Sequence, residues 1–142
     1  MSLAVRIRTA IDLDVPAMHR IRLAVRENQL SDPGRITEDD YLRFVAAQSA
    51  WVAETGDIVV GFAAVDAPAT TVWALFVDPT AEGHGIGKTL HDHMIQWSRD
   101  QRLPALSLTT GADTRADRFY RKLGWEEVGR GDDGEVCLRR FL

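Results

Sequence analysis

Cysteine is nearly missing: Cys137 is the single one in 142 residues. No disulfide can form within the chain, so a packed core must supply its stability, and a reducing compartment suits it. Inside the apolar run EVCLRRF, Cys137 reads as a small core side chain, not a nucleophile. Basic charge is not in excess either. The 17 Lys and Arg stand against 21 Asp and Glu, a net charge of -4 with no basic block. That excludes a nucleic-acid backbone or an anionic membrane as the natural partner. No apolar run reaches membrane-spanning length and the N-terminus shows no secretory pattern, so a cytoplasmic protein is expected. Repeats, linkers and low-complexity stretches are absent too. What remains, 45% apolar and 27% charged residues, is the composition of one globular domain over residues 1–142, burying roughly two-thirds of its unfolded surface.

The apolar periodicity orders the elements. LAVRIRTA alternates Val5 and Ile7 with Arg6 and Arg8, as a strand does. Asp14 and Pro16 open a helix with Met18, Ile21 and Val25 inside, Asp14 acting as its cap. ENQLSDPGRI breaks the pattern as a loop. Thr37 and Asp40 form a capping box for a second short helix holding Tyr41, Leu42 and Val45. A hairpin turning at Gly56-Asp57 follows, then the strand ATTVWALFV, closed by Asp78-Pro79. Ile86, Leu90, Met94 and Trp97 share a face of the next helix. ALSLTT is a strand, and TRADRFYRKLGW is a helix with Ala116, Phe119, Tyr120 and Leu123 inward, stopped by Gly124. The tail makes two strands around Gly-Asp-Asp-Gly. The order predicts a mixed α/β domain, mostly antiparallel, with one strand–helix–strand crossover.

The stretch EGHGIGKTL, residues 82–90, follows a strand and opens a helix. Such a turn presents unpaired N–H groups at the positive end of a helix dipole, and glycines let a phosphate come close. A Walker A loop requires glycine where Glu82 stands, so that template is one residue short. A dinucleotide fingerprint requires G-x-G-x-x-G, whereas Gly83, Gly85 and Gly87 are spaced G-x-G-x-G. The third template, Q/R-x-x-G-x-G/A of acyl-CoA-dependent N-acyltransferases, matches at Gly85 and Gly87 and departs at Glu82.

On these residues the chain resembles the GNAT superfamily of acyl-CoA N-acyltransferases. LFVDPTAEGHGIGKTL is similar to its motif A, and TTGADTRADRFYRKLGW to the segment that follows, with Asp113 for the usual Asn and Trp125 for the usual Phe. The resemblance implies a GNAT fold of the α+β type, about six or seven strands in a mostly antiparallel sheet with about four helices on both faces. It implies acetyl-CoA as cosubstrate and a primary amine, on a small molecule or a peptide, as acceptor. Pantetheine would pair with the backbone of Leu75, Phe76 and Val77, with the N–H near Val77 steadying the oxyanion. The diphosphate would lie over Gly83, His84, Gly85, Ile86, Gly87 and Lys88, and Asp113 is a further candidate contact. Because a carboxylate only accepts hydrogen bonds, Asp113 cannot donate as Asn does. Tyr120 would protonate the departing thiolate.

The general base is left open. TTVWALFV carries no acid, and Glu27, Asp32 and Asp66 are the substitutes considered. His91 and His93 lie two apart and point to different helix faces, so no metal is expected. A non-catalytic acyl-CoA-binding module is the alternative reading. A homodimer is expected through EVCLRRFL, taken as an uncovered apolar strand.

Overall fold

The computed structural model describes residues 4–25 and 36–142. Its strands are β1 (Arg6–Thr9), β2 (Ala50–Thr55), β3 (Ile58–Asp66), β4 (Thr71–Val77), β5 (Ala105–Gly111), β6 (Glu126–Arg130) and β7 (Glu135–Phe141). Four α-helices accompany them: α1 (Val15–Ala24), α2 (Glu38–Ala46), α3 (Ile86–Asp100) and α4 (Arg115–Lys122). The strands form one seven-stranded sheet in the order β1-β2-β3-β4-β5-β7-β6. Every neighbouring pair is antiparallel except β4–β5, which α3 bridges as a crossover. This is the mixed sheet expected from the periodicity, with helices on both faces.

Two cores follow from the alternation of side chains across the sheet. One face packs Met18, Ile21, Tyr41 and Phe44 of α1 and α2 onto Val52, Phe62 and Ala74. The other packs Ile86, Leu90 and Met94 of α3, with Tyr120 of α4, onto Ala63, Leu106 and Leu138. Gly61 lets α3 come close, because a Cβ there would sit 3.0 Å from both Leu90 Cδ1 and the Phe76 carbonyl oxygen. In the hairpin Gly56 takes φ +60°, as a two-residue turn requires.

Several expectations change. Asp14 precedes α1 but does not cap it. A 3-10 turn at Asp12–Asp14 runs straight into the helix, so the carboxylate reaches back instead. It accepts the Ile11 N–H at 2.8 Å and both Arg8 Nη groups at 2.8 Å. Leu42 is exposed, and Phe44 takes the buried position in α2. Cys137 is half-buried, because Val136 and Leu138 beside it turn to the α3 core and leave it on the opposite face. Nor is β7 an uncovered edge. It lies between β5 and β6, and the edge belongs to β6, exposed at all five residues. The edge argument for pairing two copies through EVCLRRFL therefore has no basis in the sheet order. Among the described residues no helix is long and apolar enough to cross a membrane.

The Asp14 arrangement yields a stability prediction. Burial pushes its carboxyl up, but Arg8 and the Ile11 N–H outweigh burial and hold it below the usual range. A depressed folded value stabilises above the unfolded pKa of ~3.9 and loses that contribution as pH falls through the folded value. Asp14→Ala should cost about 2 kcal/mol at neutral pH, since charge-assisted hydrogen bonds are lost while Arg8 keeps Glu54 at 3.2 Å. Urea denaturation at pH 7 and at pH 3 checks it: the gap between variant and wild type should narrow in acid.

Candidate active site

β4 and β5 run parallel yet meet at one paired position, Thr71 with Ser107. Beyond it they part, and the cause is local. Val65 faces Val72 while Ala64 faces Ala74, so Trp73 is the extra residue of a bulge, which bends the strand that carries it. Arg22 of α1 holds the bend. The residue is only 6% exposed, and its guanidinium donates to the Trp73 carbonyl at 3.1 Å and lies over the rings of Trp73 and Phe76 at 4.3 and 5.1 Å. Burial pulls the Arg22 pKa below its ordinary value, and the neighbouring Tyr41 opposes part of that pull. Leu75, Phe76 and Val77 pair with β3 alone, and on their other side opens a cleft of about 730 Å³.

The glycine loop forms one end of that cleft. Asp78 starts a 3-10 turn by accepting the Thr80 N–H at 3.0 Å, and Gly83 and Gly85 then take φ +84° and +75°. Gly85 is the N-cap of α3 and has no side chain to cap it. Thr89 N–H bonds the Gly85 carbonyl at 3.1 Å, so Ile86, Gly87 and Lys88 hold the first-turn donors that have no intrahelical acceptor. The Lys88 ammonium is drawn along its own helix to Asp92 at 2.6 Å. Glu82 receives Arg115 Nη1 of α4 at 2.6 Å, and both residues line the cleft.

α4 forms the facing wall. Thr114 caps it by accepting the Asp117 N–H at 3.2 Å. Tyr120 is buried and lines the cleft, its ring edge-on to Phe119 at 5.2 Å and to Trp125 at 5.1 Å. Its carbonyl accepts the Leu123 and Trp125 N–H groups at 3.0 and 3.1 Å, which fixes the end of the helix. Burial raises the Tyr120 pKa well above that of a free phenol, so the hydroxyl keeps its proton. Behind it the Trp125 indole N–H donates to His91 Nε2 at 2.9 Å. An indole only donates, so His91 carries its proton on Nδ1, 3.1 Å from Asp92 Oδ1. Burial lowers the His91 pKa, in keeping with a neutral ring.

Of the residues singled out from sequence, Leu75, Phe76, Val77, Gly83, Gly85, Ile86, Gly87, Lys88 and Tyr120 line this one cleft. His84 and Asp113 do not. His84 is exposed in the loop, and Asp113 sits at φ +62° with its N–H held by Asp117 Oδ2 at 2.9 Å. Asp66 ends β3, where its carboxylate accepts the Ala69 N–H at 3.3 Å and faces Arg43 at 3.9 Å, away from the cleft. Glu27 and Asp32 lie outside the described residues. Glu82 is the one carboxylate among the described lining residues. Sequence reasoning passed over Ala24 and Val25 at the end of α1, the Arg115–Glu82 pair and the His91–Trp125 bond. A basic residue at the first position of a helix, where the dipole disfavours it, was the available signal for Arg115.

A model of the acetyltransferase (GNAT) family matches residues 15–125, more than half of the chain. The chain is 36% identical over 93 residues to the peptidyl-lysine N-acetyltransferase YjaB of Salmonella typhimurium, a match taking in 63% of this chain and 58% of that protein. It thus spans little more than half the length of that relative. Ard1 from Thermoplasma volcanium superposes with a TM-score of 0.83 at 22% identity, covering 99% of each chain. The putative acetyltransferase yncA from Salmonella typhimurium, solved with its cofactor acetyl-CoA, superposes at 0.80 with 19% identity over 98% of this chain and 94% of that one. At such identities the structural likeness shows the fold.

Proposed function

Since the chain belongs to the acetyltransferase (GNAT) family and is an acyltransferase, we propose that it moves the acetyl group of acetyl-CoA to a primary amine by direct attack in a ternary complex. The observation that carries this reading is the parted strand pair. The β5-facing edge of Leu75–Val77 borders the cleft instead of a strand, and the uncapped first turn of α3 lies at one end of the same cleft. Pantetheine amides would pair with that edge, and the diphosphate would take the N–H groups of Ile86, Gly87 and Lys88. His84 and Asp113, which do not line the cleft, are the weakest of the proposed cofactor contacts.

In the proposed step the amine nitrogen attacks the thioester carbonyl carbon, and the N–H near Val77 steadies the oxyanion. A C–N bond forms, the C–S bond breaks, and the Tyr120 hydroxyl gives its proton to the departing thiolate. The nitrogen loses its own proton to a base or to water, and the phenol is reprotonated before the next turnover. The name of the Salmonella relative makes lysine side chains of proteins the first acceptors to try.

A thiol-release assay with acetyl-CoA across lysine peptides, free amino acids and polyamines tests the reading. Free CoA should appear stoichiometrically with acetylated amine. Tight binding of acetyl-CoA with no release on any acceptor would favour a module that binds acyl-CoA without turnover.

A further inference from the structure

Among the described residues no side chain is hydrogen-bonded to the Tyr120 hydroxyl, so packing alone aims the phenol into the cleft. Phe119 meets its ring edge-on from the same helix, and Trp125 meets it from beyond the helix end. Trp125 gets there because Gly124 takes φ +94°, a left-handed turn that folds the chain back after α4. Its N–H then bonds the Tyr120 carbonyl at 3.1 Å, so the near end of Trp125 is tied to Tyr120 itself. The far end is tied to α3. There the indole N–H donates to His91 Nε2 at 2.9 Å, a buried bond between residues 34 apart in sequence. His91 is a buried imidazole that the proposed chemistry does not use, and its ring lies 6.1 Å from that of Phe119 and 6.4 Å from that of Tyr120. Asp92 Oδ1 holds the proton on Nδ1, which leaves Nε2 as an acceptor turned to the indole.

We infer that His91 is a positioning residue for Tyr120, aiming the phenol by holding the far end of the Trp125 indole. This rests on the reading of Tyr120 as the general acid. Without an acceptor the buried indole N–H is left unpaired, at the full cost of its desolvation. The indole then shifts to find another partner, and the phenol ring that leans on it shifts too. Proton transfer to a departing thiolate depends on the reach of one hydroxyl, so a small displacement is enough to slow it.

kcat under chemistry-limited conditions tests the inference, with acetyl-CoA and the lysine peptide or other amine that releases CoA fastest in the acceptor panel. The variants are His91→Leu, His91→Asn and His91→Gln, each alone and combined with Tyr120→Phe, with thermal melts to verify folding. Leucine offers the indole no acceptor, and asparagine is one methylene too short to reach it. Glutamine places an amide oxygen near the position of Nε2. His91→Leu should lower kcat about tenfold and leave the KM for acetyl-CoA near wild type. His91→Asn should do the same, and serves if the leucine variant does not fold. His91→Gln should recover most of the loss. The Tyr120→Phe background is decisive. If His91 acts by aiming the phenol, its substitutions cost less than about twofold once the hydroxyl is gone, because the two effects share a cause. An equal loss in both backgrounds reports a distorted cleft and overturns the inference. Wild-type kcat in folded His91→Leu and His91→Asn overturns it as well, as does a His91→Gln enzyme no faster than His91→Leu. Wild-type kcat in Tyr120→Phe alone, or no turnover with any amine, would instead overturn the parent reading, and this inference with it.

Discussion

Tyr120→Phe should lower turnover by about 10²-fold or more, the usual scale of general-acid catalysis, while acetyl-CoA affinity stays near wild type. The substitution removes one oxygen and keeps the ring, so the edge-on contacts with Phe119 and Trp125 survive. The main chain at this position is held independently by the Leu123 and Trp125 N–H groups. Direction of titration matters too. Burial raises the phenol's pKa, so the donor form persists as pH rises, and Tyr120 should produce no alkaline fall in kcat below pH ~10, the value of an unburied phenol. Steady-state rates across pH, with pre-steady-state mixing to verify that chemistry limits turnover, measure both. Wild-type kcat in a chemistry-limited Tyr120→Phe enzyme would reduce the residue to core and leave water as the acid.

The place of Tyr120 in the cleft wall was legible because two signals coincide there, helical spacing with Phe119 and register with Gly124-Trp125. The element order was legible for a similar reason. Periods of two and of 3.6 residues are set by which face is buried, and this domain buries one face of every helix. What was not legible depends on register between strands distant in sequence. The parting of β4 from β5 comes from one extra residue, Trp73, opposite Ala64 and Val65, and nothing in TTVWALFV marks it. The interior place of β7 had the same character. EVCLRRFL reads as an edge because it comes last, yet it turns back antiparallel from β6 and inserts between β6 and β5, leaving β6 outside it. Asp14 was misread on local grounds, since a cap was inferred without knowing that Arg8 of the first strand would reach it. Trp125 shows the reverse. Standing where the sequence resemblance led one to expect Phe, it gains a reason only when His91 is found 2.9 Å from its indole nitrogen.

The glycine loop permits a cleaner test than valine at Gly83 or Gly85. Those two have positive φ with nothing within 4 Å of a built Cβ, so any side chain there strains the backbone whether or not a ligand binds. Gly87 differs. It lies within α3, and its Cβ would meet Phe119 Cε1 at 3.4 Å and Val77 Cγ2 at 3.6 Å, ordinary contacts with two residues of the cleft wall. Gly87→Ala should therefore leave thermal stability equal or higher, because alanine is favoured over glycine in a helix by about 1 kcal/mol. Acetyl-CoA affinity should move the other way. The added methyl fills space between α3 and the walls where the diphosphate must settle onto the first-turn N–H groups. Losing one or two such charge-assisted hydrogen bonds, at about 1.5 kcal/mol or more each, weakens binding roughly 10- to 100-fold. Calorimetry beside a thermal melt reads both quantities on one sample. A stabilised Gly87→Ala protein with undiminished affinity would place the diphosphate elsewhere, whereas lost affinity in a protein that melts no lower ties the bare helix start to the ligand.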